Sequence, residues 1–203
     1  MNLRPILKEE YYSLLKKVYI DEMNWQPEKT PNASNIKVEN GLLIDDFCDE
    51  ATYFGFCLND EPVFGFRLIE GSPELQRYIK PGTLDTVLDN SIEINRLVID
   101  KKVRKSGFIR LIGRVAYDFC KKKKAKYCIT TSGNHNLNVK FKKTPMVSIF
   151  ERAIHYPEGV CNAYAFPINN YLFRLTQSDP FVFGFKRRKI LYQVYESLIA
   201  GKL

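Results

Sequence analysis

One segment governs the architecture of this 203-residue chain: Glu93-Ile94-Asn95-Arg96-Leu97-Val98-Ile99-Asp100. Its alternating, β-branched residues predict a strand over Ser91–Ile99. The strand is followed by the basic turn Arg104-Lys105-Ser106-Gly107, and then by apolar residues at helical spacing from Phe108 to Phe119. This order predicts a cradle for an anion, because the N–H groups at the start of a helix point outward and its dipole favours negative charge.

The same periodicities predict the remaining elements. Helices are expected over residues 7–18, 137–143 and 187–200, and strands over residues 52–58, 63–69, 127–131 and 160–168, with a hairpin turn at Asn59-Asp60-Glu61-Pro62. Residues 24–44 are predicted to be irregular, as are residues 71–90 around a short helical piece. Antiparallel strands followed by strand–helix–strand units predict a single α/β domain over residues 1–203. Its N-terminal region, 1–50, is expected to be irregular, and residues 170–203 to add a C-terminal strand or helix.

Composition excludes several classes of protein. The chain is 45% hydrophobic, which suffices for a core, and its 11 Gly and 10 Pro exclude a collagen-like or low-complexity chain. No apolar run is long enough to cross a bilayer, and the N-terminus lacks the apolar region of a secretory signal. The five cysteines lack C-x-x-C spacing, so neither a disulfide framework nor a zinc site is expected, and no metal site is predicted. A cytoplasmic location follows as the prediction.

Charge is distributed unevenly along the chain. Residues 1–100 carry 10 Lys and Arg against 18 Asp and Glu, whereas residues 101–203 carry 21 against 5. An acidic half suits a cationic small molecule, and a basic half suits an anionic partner. The alternative is that both halves are ordinary solvated surface.

The strand, the R-x-x-G turn, the helix and the next strand resemble the acyl-donor motif of the GNAT superfamily of N-acyltransferases. A closer resemblance is to the acyl-homoserine-lactone synthases (autoinducer synthases) and the related N-acyl amino acid synthases. Their ordered pattern of an aromatic residue, Trp, paired Asp, Arg and E-x-x-R is matched by Tyr19, Trp25, Asp46, Asp49, Arg67, Glu93 and Arg96. The chain departs from the pattern at Leu15, where the family has an arginine, and at Asn95, where it has a serine.

This resemblance implies a GNAT-like fold, with a mixed, mostly antiparallel, splayed sheet flanked by helices. It also implies an N-acyltransferase that moves a fatty acyl group from acyl carrier protein to an amine such as S-adenosylmethionine or an amino acid, making an N-acyl signal or lipid. No tightly bound cofactor is expected, because the acyl-phosphopantetheine thioester is a co-substrate. Ile109 stands where the GNAT motif usually has a small residue, which favours a donor without the coenzyme A nucleotide. The alternatives are an acetyl-CoA-dependent N-acetyltransferase and a basic nucleic-acid-binding protein with a degenerate acyltransferase fold.

Glu93 is the predicted general base, because an amine acceptor is mostly an ammonium at neutral pH and must lose a proton before it attacks. Strand alternation puts Glu93, Asn95 and Leu97 on one face, and Ile94 and Arg96 on the other unless a bulge intervenes. Arg96, the second predicted catalytic residue, is therefore expected to organise the acidic cluster. The alternative is that Glu93 and Arg96 form an ordinary buried ion pair.

The resemblance also implies the binding residues. Acceptor binding is assigned to Trp25, Asp46, Asp49, Arg67 and Asn95, donor binding to Leu97, Val98, Ile99, Arg104, Lys105, Ser106, Gly107, Thr130 and Thr131, and carrier-protein docking to Lys140, Lys142 and Lys143. Backbone N–H groups of the Glu93–Ile99 strand are expected to stabilise the oxyanion. Core packing is the alternative for Trp25, a polar turn for Asp46 and Asp49, and solvated helix ends for the lysine runs.

Overall fold

The computed structural model describes residues 2–30, 35–71, 73–76, 85–104, 108–132, 147–156, 159–169, 193–199 and 201–202. The strands are β1 (Leu3–Pro5), β2 (Lys37–Glu39), β3 (Leu42–Ile44), β4 (Thr52–Leu58), β5 (Glu61–Glu70), β6 (Ser91–Ile99), β7 (Tyr127–Ser132), β8 (Val147–Tyr156) and β9 (Gly159–Pro167). The α-helices are α1 (Lys8–Lys16), α2 (Pro73–Gln76), α3 (Asp85–Leu88) and α4 (Ile109–Lys123). A π-helical turn (Lys17–Glu22) extends α1, a 3₁₀ turn follows at Pro27–Lys29, and residues 193–199 are helical.

Seven strands form one sheet in the order β1-β4-β5-β6-β7-β9-β8, and β2 and β3 form a separate hairpin. Neighbouring strands of the large sheet are antiparallel except β6 and β7, which are parallel. The parallel pairing ends at Ile94 and Thr130 in the described part of the chain, although β6 continues to Ile99. The two strands therefore diverge beyond Ile94, which confirms the predicted mixed, mostly antiparallel, splayed sheet.

Each face of the sheet has its own core. Alternation in β5 directs Phe64, Phe66 and Leu68 into the cluster that α4 covers. The opposite face packs against α1, whose Tyr11 and Leu14 are buried there with other apolar side chains. Among the described residues, no helix is long and apolar enough to span a membrane.

Most of the predicted elements are confirmed, and four strands were missed. The α1, β4, β5, β6, α4, β7 and β9 elements lie where the sequence predicts them. The β2–β3 hairpin lies within residues 24–44, which were wrongly predicted to be irregular. Its signal was Asn40-Gly41, whose φ angles of +50° and +78° suit a tight hairpin turn. Strands β1 and β8 were also missed. Residues 137–143 and 187–192 of the predicted helices lie outside the described residues.

Candidate functional site

A bulge in β6 brings its polar side chains onto one face of the sheet. Two residues of β6, Arg96 and Leu97, lie opposite Phe66 alone in β5, and Arg96 has a left-handed backbone with φ of +48°. A bulge of this kind shifts the alternation of side chains by one residue. Arg96 therefore joins Glu93 and Asn95 on the α1 face, and the prediction from strict alternation is wrong for Arg96 and Leu97.

Two arginines lie buried side by side on this face. Arg67 is completely buried; its Nη1 and Nη2 each donate to Asp45 across 2.7 Å, and its Nε donates to Asn95 Oδ1 at 2.6 Å. Arg96 donates through Nη2 to Glu74 Oε1 at 2.6 Å and through Nε to Asp45 Oδ2 at 3.3 Å. A bidentate guanidinium–carboxylate contact fixes both position and orientation, so Asp45 anchors Arg67 firmly.

Glu74 joins the same cluster from α2. Its Oε2 accepts from Asn95 Nδ2 at 2.7 Å and from Arg67 Nη2 at 3.4 Å, while its Oε1 accepts from Arg96. The residue is buried, so all of these contacts are shielded from water. Glu74 therefore bridges β5, β6 and α2.

Asp45 and Glu74 balance the charges of the two guanidinium groups. Burial alone would raise the pKa of Asp45, but the charge and hydrogen bonds of Arg67, with the charge of Arg96, hold that pKa below its ordinary value. Burial alone would lower the pKa of Arg67, but Asp45 and Glu74 raise it well above its ordinary value. The four groups therefore form a neutral set with two positive and two negative charges.

Glu93 is a third carboxyl group in this cluster, and it is not needed to neutralise the two arginines. It is buried, its Oε2 accepts from the Leu75 N–H at 3.3 Å, and its Oε1 accepts from Asn95 Nδ2 at 3.4 Å. Burial, reinforced by the negative charge of Glu74, raises the pKa of Glu93 to about 8. The charge of Arg67 lowers this pKa, but burial has the larger effect.

The acidic partner of the arginines lies one residue before the predicted pair. Asp45 holds Arg67 and Arg96, and its Oδ1 also accepts from the Phe47 N–H at 3.0 Å, closing a turn after β3. Asp49 lies at the surface, where its side chain is 92% exposed and pairs with Lys8 at 2.6 Å. Among the described residues, the ion pairs of Arg67 and Arg96 are therefore made with Asp45 and Glu74, and acceptor binding by Asp46 and Asp49 stays a prediction.

Two further features lie on the α1 side of the sheet. Trp25 is buried in the α1 core; its Nε1 donates to Thr30 Oγ1 at 2.7 Å, and its ring lies 5.9 Å from that of Tyr19. A cleft of about 440 Å³ lies between α1 and the β2–β3 hairpin and reaches the cluster at Asp45. Its charged lining consists of Lys8, Glu9, Lys37, Asp45, Asp46 and Asp49. Carboxylates therefore outnumber ammonium groups in this cleft.

The predicted donor residues are only partly within the described chain. Arg104 donates to the Ile99 carbonyl at 3.1 Å and to Glu22 at 2.6 Å. Thr130 lies at the last β6–β7 pair, where its Oγ1 donates to the Ile94 carbonyl at 3.3 Å. Of the other donor residues, Leu97, Val98 and Ile99 lie in β6 and Thr131 in β7. Lys105, Ser106, Gly107, Lys140, Lys142 and Lys143 lie outside the described residues.

Comparison with known proteins identifies the fold. No protein-family model and no curated protein matches the sequence. Among solved structures, the acyl-homoserine lactone synthase LasI matches with a TM-score of 0.60 at 11% identity, over 87% of this chain and 92% of that one. This is the GNAT-type fold of the acyl-homoserine lactone synthases.

Two further solved structures share the fold. BjaI, a CoA-dependent acyl-homoserine lactone synthase solved with SAM and isopentyl-CoA, matches with a TM-score of 0.57 at 13% identity, over 95% of this chain and 88% of that one. FeeM, an N-acyl amino acid synthase from uncultured soil microbes, matches with a TM-score of 0.56 at 10% identity, over 86% of this chain and 93% of that one. The observed fold therefore agrees with the fold that the sequence resemblance to acyl-homoserine-lactone and N-acyl amino acid synthases predicts.

The buried cluster predicts a large difference between two aspartates. Asp45→Asn removes the charge that neutralises Arg67 and Arg96, and we expect it to lower the free energy of unfolding by about 3–5 kcal/mol. Asp49→Asn is the matched control, and it should change the free energy by less than about 0.5 kcal/mol because the group is exposed. Urea denaturation measures both, and equal effects would contradict the assignment of Asp45.

The raised pKa of Glu93 predicts how stability depends on pH. The unfolded carboxyl titrates near pH 4.3 and the folded one near pH 8, so the folded state holds a proton more tightly. This contribution is complete below about pH 4 and is lost as pH rises to 8. The free energy of unfolding of Glu93→Gln minus that of the wild type should therefore be more positive at pH 9 than at pH 5.

Urea denaturation at the two pH values measures this shift. Glu70→Gln is the control, because Glu70 forms an exposed pair with Lys123 at the end of β5. A difference between the wild type and Glu93→Gln that stays constant with pH would show that Glu93 is an ordinary carboxylate.

Proposed function

We propose that this protein is an N-acyltransferase that moves a fatty acyl group from a thioester to an amine. The observation that carries the proposal is the position of Glu93, an excess carboxyl beside a charge-balanced cluster, one residue before the β6–β7 pairing ends at Ile94. Beyond Ile94 the two strands separate, so a substrate that enters between them would meet the strand that carries Glu93. The fold shared with acyl-homoserine lactone and N-acyl amino acid synthases supports the same reaction class.

Glu93 acts as the general base in this reaction. Its pKa of about 8 is much nearer to that of an amine than an ordinary carboxylate's pKa is, so transfer of a proton from the ammonium to Glu93 costs less free energy. The ammonium gives its proton to Glu93, directly or through one water. The neutral amine then forms the C–N bond at the thioester carbonyl, the nitrogen loses its second proton, and the C–S bond breaks. The leaving thiolate takes up that second proton, and Glu93 returns the first one to water.

Backbone N–H groups of β6 stabilise the charge that develops on the carbonyl oxygen. Beyond Ile94 the strand runs apart from β7 in the described residues, and a ligand that enters between the strands would meet this edge. Fixed N–H donors directed at a developing oxyanion contribute more than the same groups in water, because they need no reorganisation. Arg96 and Arg67 contribute indirectly, through the cluster that sets the pKa of Glu93.

A cationic acceptor fits the electrostatics of the site. Among the described residues, the ion pairs of both guanidinium groups are made with Asp45 and Glu74, so an ionised Glu93 has no cation there as an ion-pair partner. An ammonium-bearing acceptor such as S-adenosylmethionine or an amino acid supplies one, and the carboxylate-rich cleft at Asp45 suits its approach. The product is an N-acyl amine that serves as a signal or lipid.

The donor we propose is acyl carrier protein. Arg104, the arginine of the R-x-x-G turn, is already paired with Glu22. Ile109 occupies the position where the motif usually has a small residue. Both features weaken binding of the coenzyme A pyrophosphate. The lysines at 140, 142 and 143 are the proposed docking residues for the acidic carrier. The second candidate donor is a coenzyme A thioester, because BjaI, which shares this fold, is CoA-dependent.

Loss of the general base should abolish most of the activity. We expect Glu93→Gln to lower kcat by about 10²–10⁴-fold. In the wild type, kcat/KM should rise as pH passes through about 8, because the carboxylate is the active form. The assay incubates the protein with an acyl thioester and candidate amines, and mass spectrometry detects the N-acyl product. Glu70→Gln should retain full activity, and a Glu93→Gln variant with a near-normal rate would refute this mechanism.

The donor can be identified by comparing one acyl chain on both carriers. We expect a higher kcat/KM with acyl carrier protein than with coenzyme A, and a steep loss of the carrier reaction with added salt, because exposed charges are screened. Reversing Lys140, Lys142 and Lys143 to Glu should raise KM for the acylated carrier and leave kcat unchanged. The coenzyme A reaction is the internal control. A preference for coenzyme A would favour the second candidate donor.

A further inference from the structure

Tyrosines of the N-terminal helix hold the two carbonyl groups at the β6 bulge. The Tyr11 hydroxyl donates to the Arg96 carbonyl at 2.8 Å, and the Tyr19 hydroxyl donates to the Leu97 carbonyl at 3.0 Å. Tyr11 lies in α1 and Tyr19 in the π-helical turn that follows it. Consecutive peptide groups of the bulge are thus attached to one continuous helical segment.

The position of Tyr11 is itself tightly fixed. Its ring is completely buried and lies parallel to the ring of Tyr53, with centroids 6.0 Å apart. It also lies against Gly65 of β5, where an added Cβ would come within 2.5 Å of Tyr11 Cδ2, so the close approach depends on the glycine. Burial raises the pKa of Tyr11 well above its ordinary value, so the hydroxyl keeps its proton and remains a donor.

Holding the Arg96 carbonyl also sets the direction of the next N–H group. The carbonyl of Arg96 and the N–H of Leu97 belong to one planar trans peptide group and point in opposite directions. This peptide group lies beyond the end of the β6–β7 pairing described above, so β7 does not orient it. Arg96 also has a positive φ of 48°, a conformation that persists in non-glycine residues only where the surroundings hold it.

We propose that Tyr11 is a positioning residue for acyl transfer: it holds the Arg96–Leu97 peptide group so that the Leu97 N–H points at the thioester carbonyl oxygen. The inference rests on the proposed function. The Leu97 N–H donates a hydrogen bond to this oxygen as it becomes negative during attack of the amine. Tyr11 itself neither bonds to the substrate nor exchanges a proton. Tyr19 holds the following carbonyl and so restrains the same bulge from its other side.

The test compares two neighbouring tyrosines of α1. Tyr11→Phe removes the hydroxyl and keeps the ring, while Tyr12→Phe is the matched control, because Tyr12 donates to the Cys48 carbonyl at 3.3 Å, outside the bulge. Loss of a whole oxyanion donor costs about 10²–10³-fold, so loss of its alignment should lower kcat by about tenfold. The KM for the donor and the pH midpoint near 8 should stay unchanged, since Glu93 is untouched. A kcat within twofold of the wild type, or an equal loss in Tyr12→Phe, would overturn the proposal.

A second measurement separates this inference from the proposed function. Amide hydrogen exchange at Leu97, followed by NMR, should be faster in Tyr11→Phe than in the wild type and unchanged in Tyr12→Phe. Unchanged exchange in Tyr11→Phe, with an active wild-type enzyme, would reject the role of Tyr11 and leave the function standing. Faster exchange in Tyr11→Phe, with a wild-type protein inactive on every donor and amine tested, would retain the contact but reject both acyl transfer and the positioning role.

Discussion

The contact between Arg67 and Asp45 is the interaction on which the rest of the site depends. A guanidinium that is completely buried is tolerated only when a carboxylate and further hydrogen bonds replace its water. Asp45 directly follows β3, so the contact joins the β2–β3 hairpin to the middle of the large sheet. Glu74 plays the same part for Arg96 and ties α2 to β6. Elements far apart in the chain therefore meet at one polar centre.

The properties of Glu93 follow from the composition of this centre. Because Asp45 and Glu74 already neutralise both arginines, a third carboxylate would place an uncompensated charge in a buried region. Glu93 therefore keeps its proton to a pH of about 8 and acquires the proton affinity of an amine. The β6 bulge is essential to this arrangement, since without it Arg96 would face α4 and Glu74 would lose its 2.6 Å contact with Arg96.

The sequence predicted a feature well when one strand carries the whole hydrophobic pattern. It predicted less well the features that two strands or distant segments form together. The period-2 pattern of Ser91–Ile99 located β6 and pointed to Glu93. The bulge could not be located in the same way, because it is defined by the count of residues in β5 opposite those in β6. Asp45 was missed because Asp46 and Asp49 offered the expected spacing, although Asp45 directly follows the apolar strand β3. Glu74 lies in a four-residue helix, which is too short to produce a period.

The most direct test of this account is the pKa of Glu93 itself. Protein labelled with ¹³C at the glutamate side-chain carboxyl carbons can be titrated by NMR, with Glu93→Gln used to assign the resonance. We predict a resonance that titrates near pH 8, well above the ordinary glutamate value of about 4.3. A Glu93 carboxyl that titrates near or below its ordinary value of about 4.3 would show that the cluster holds Glu93 as a carboxylate, and would contradict the account.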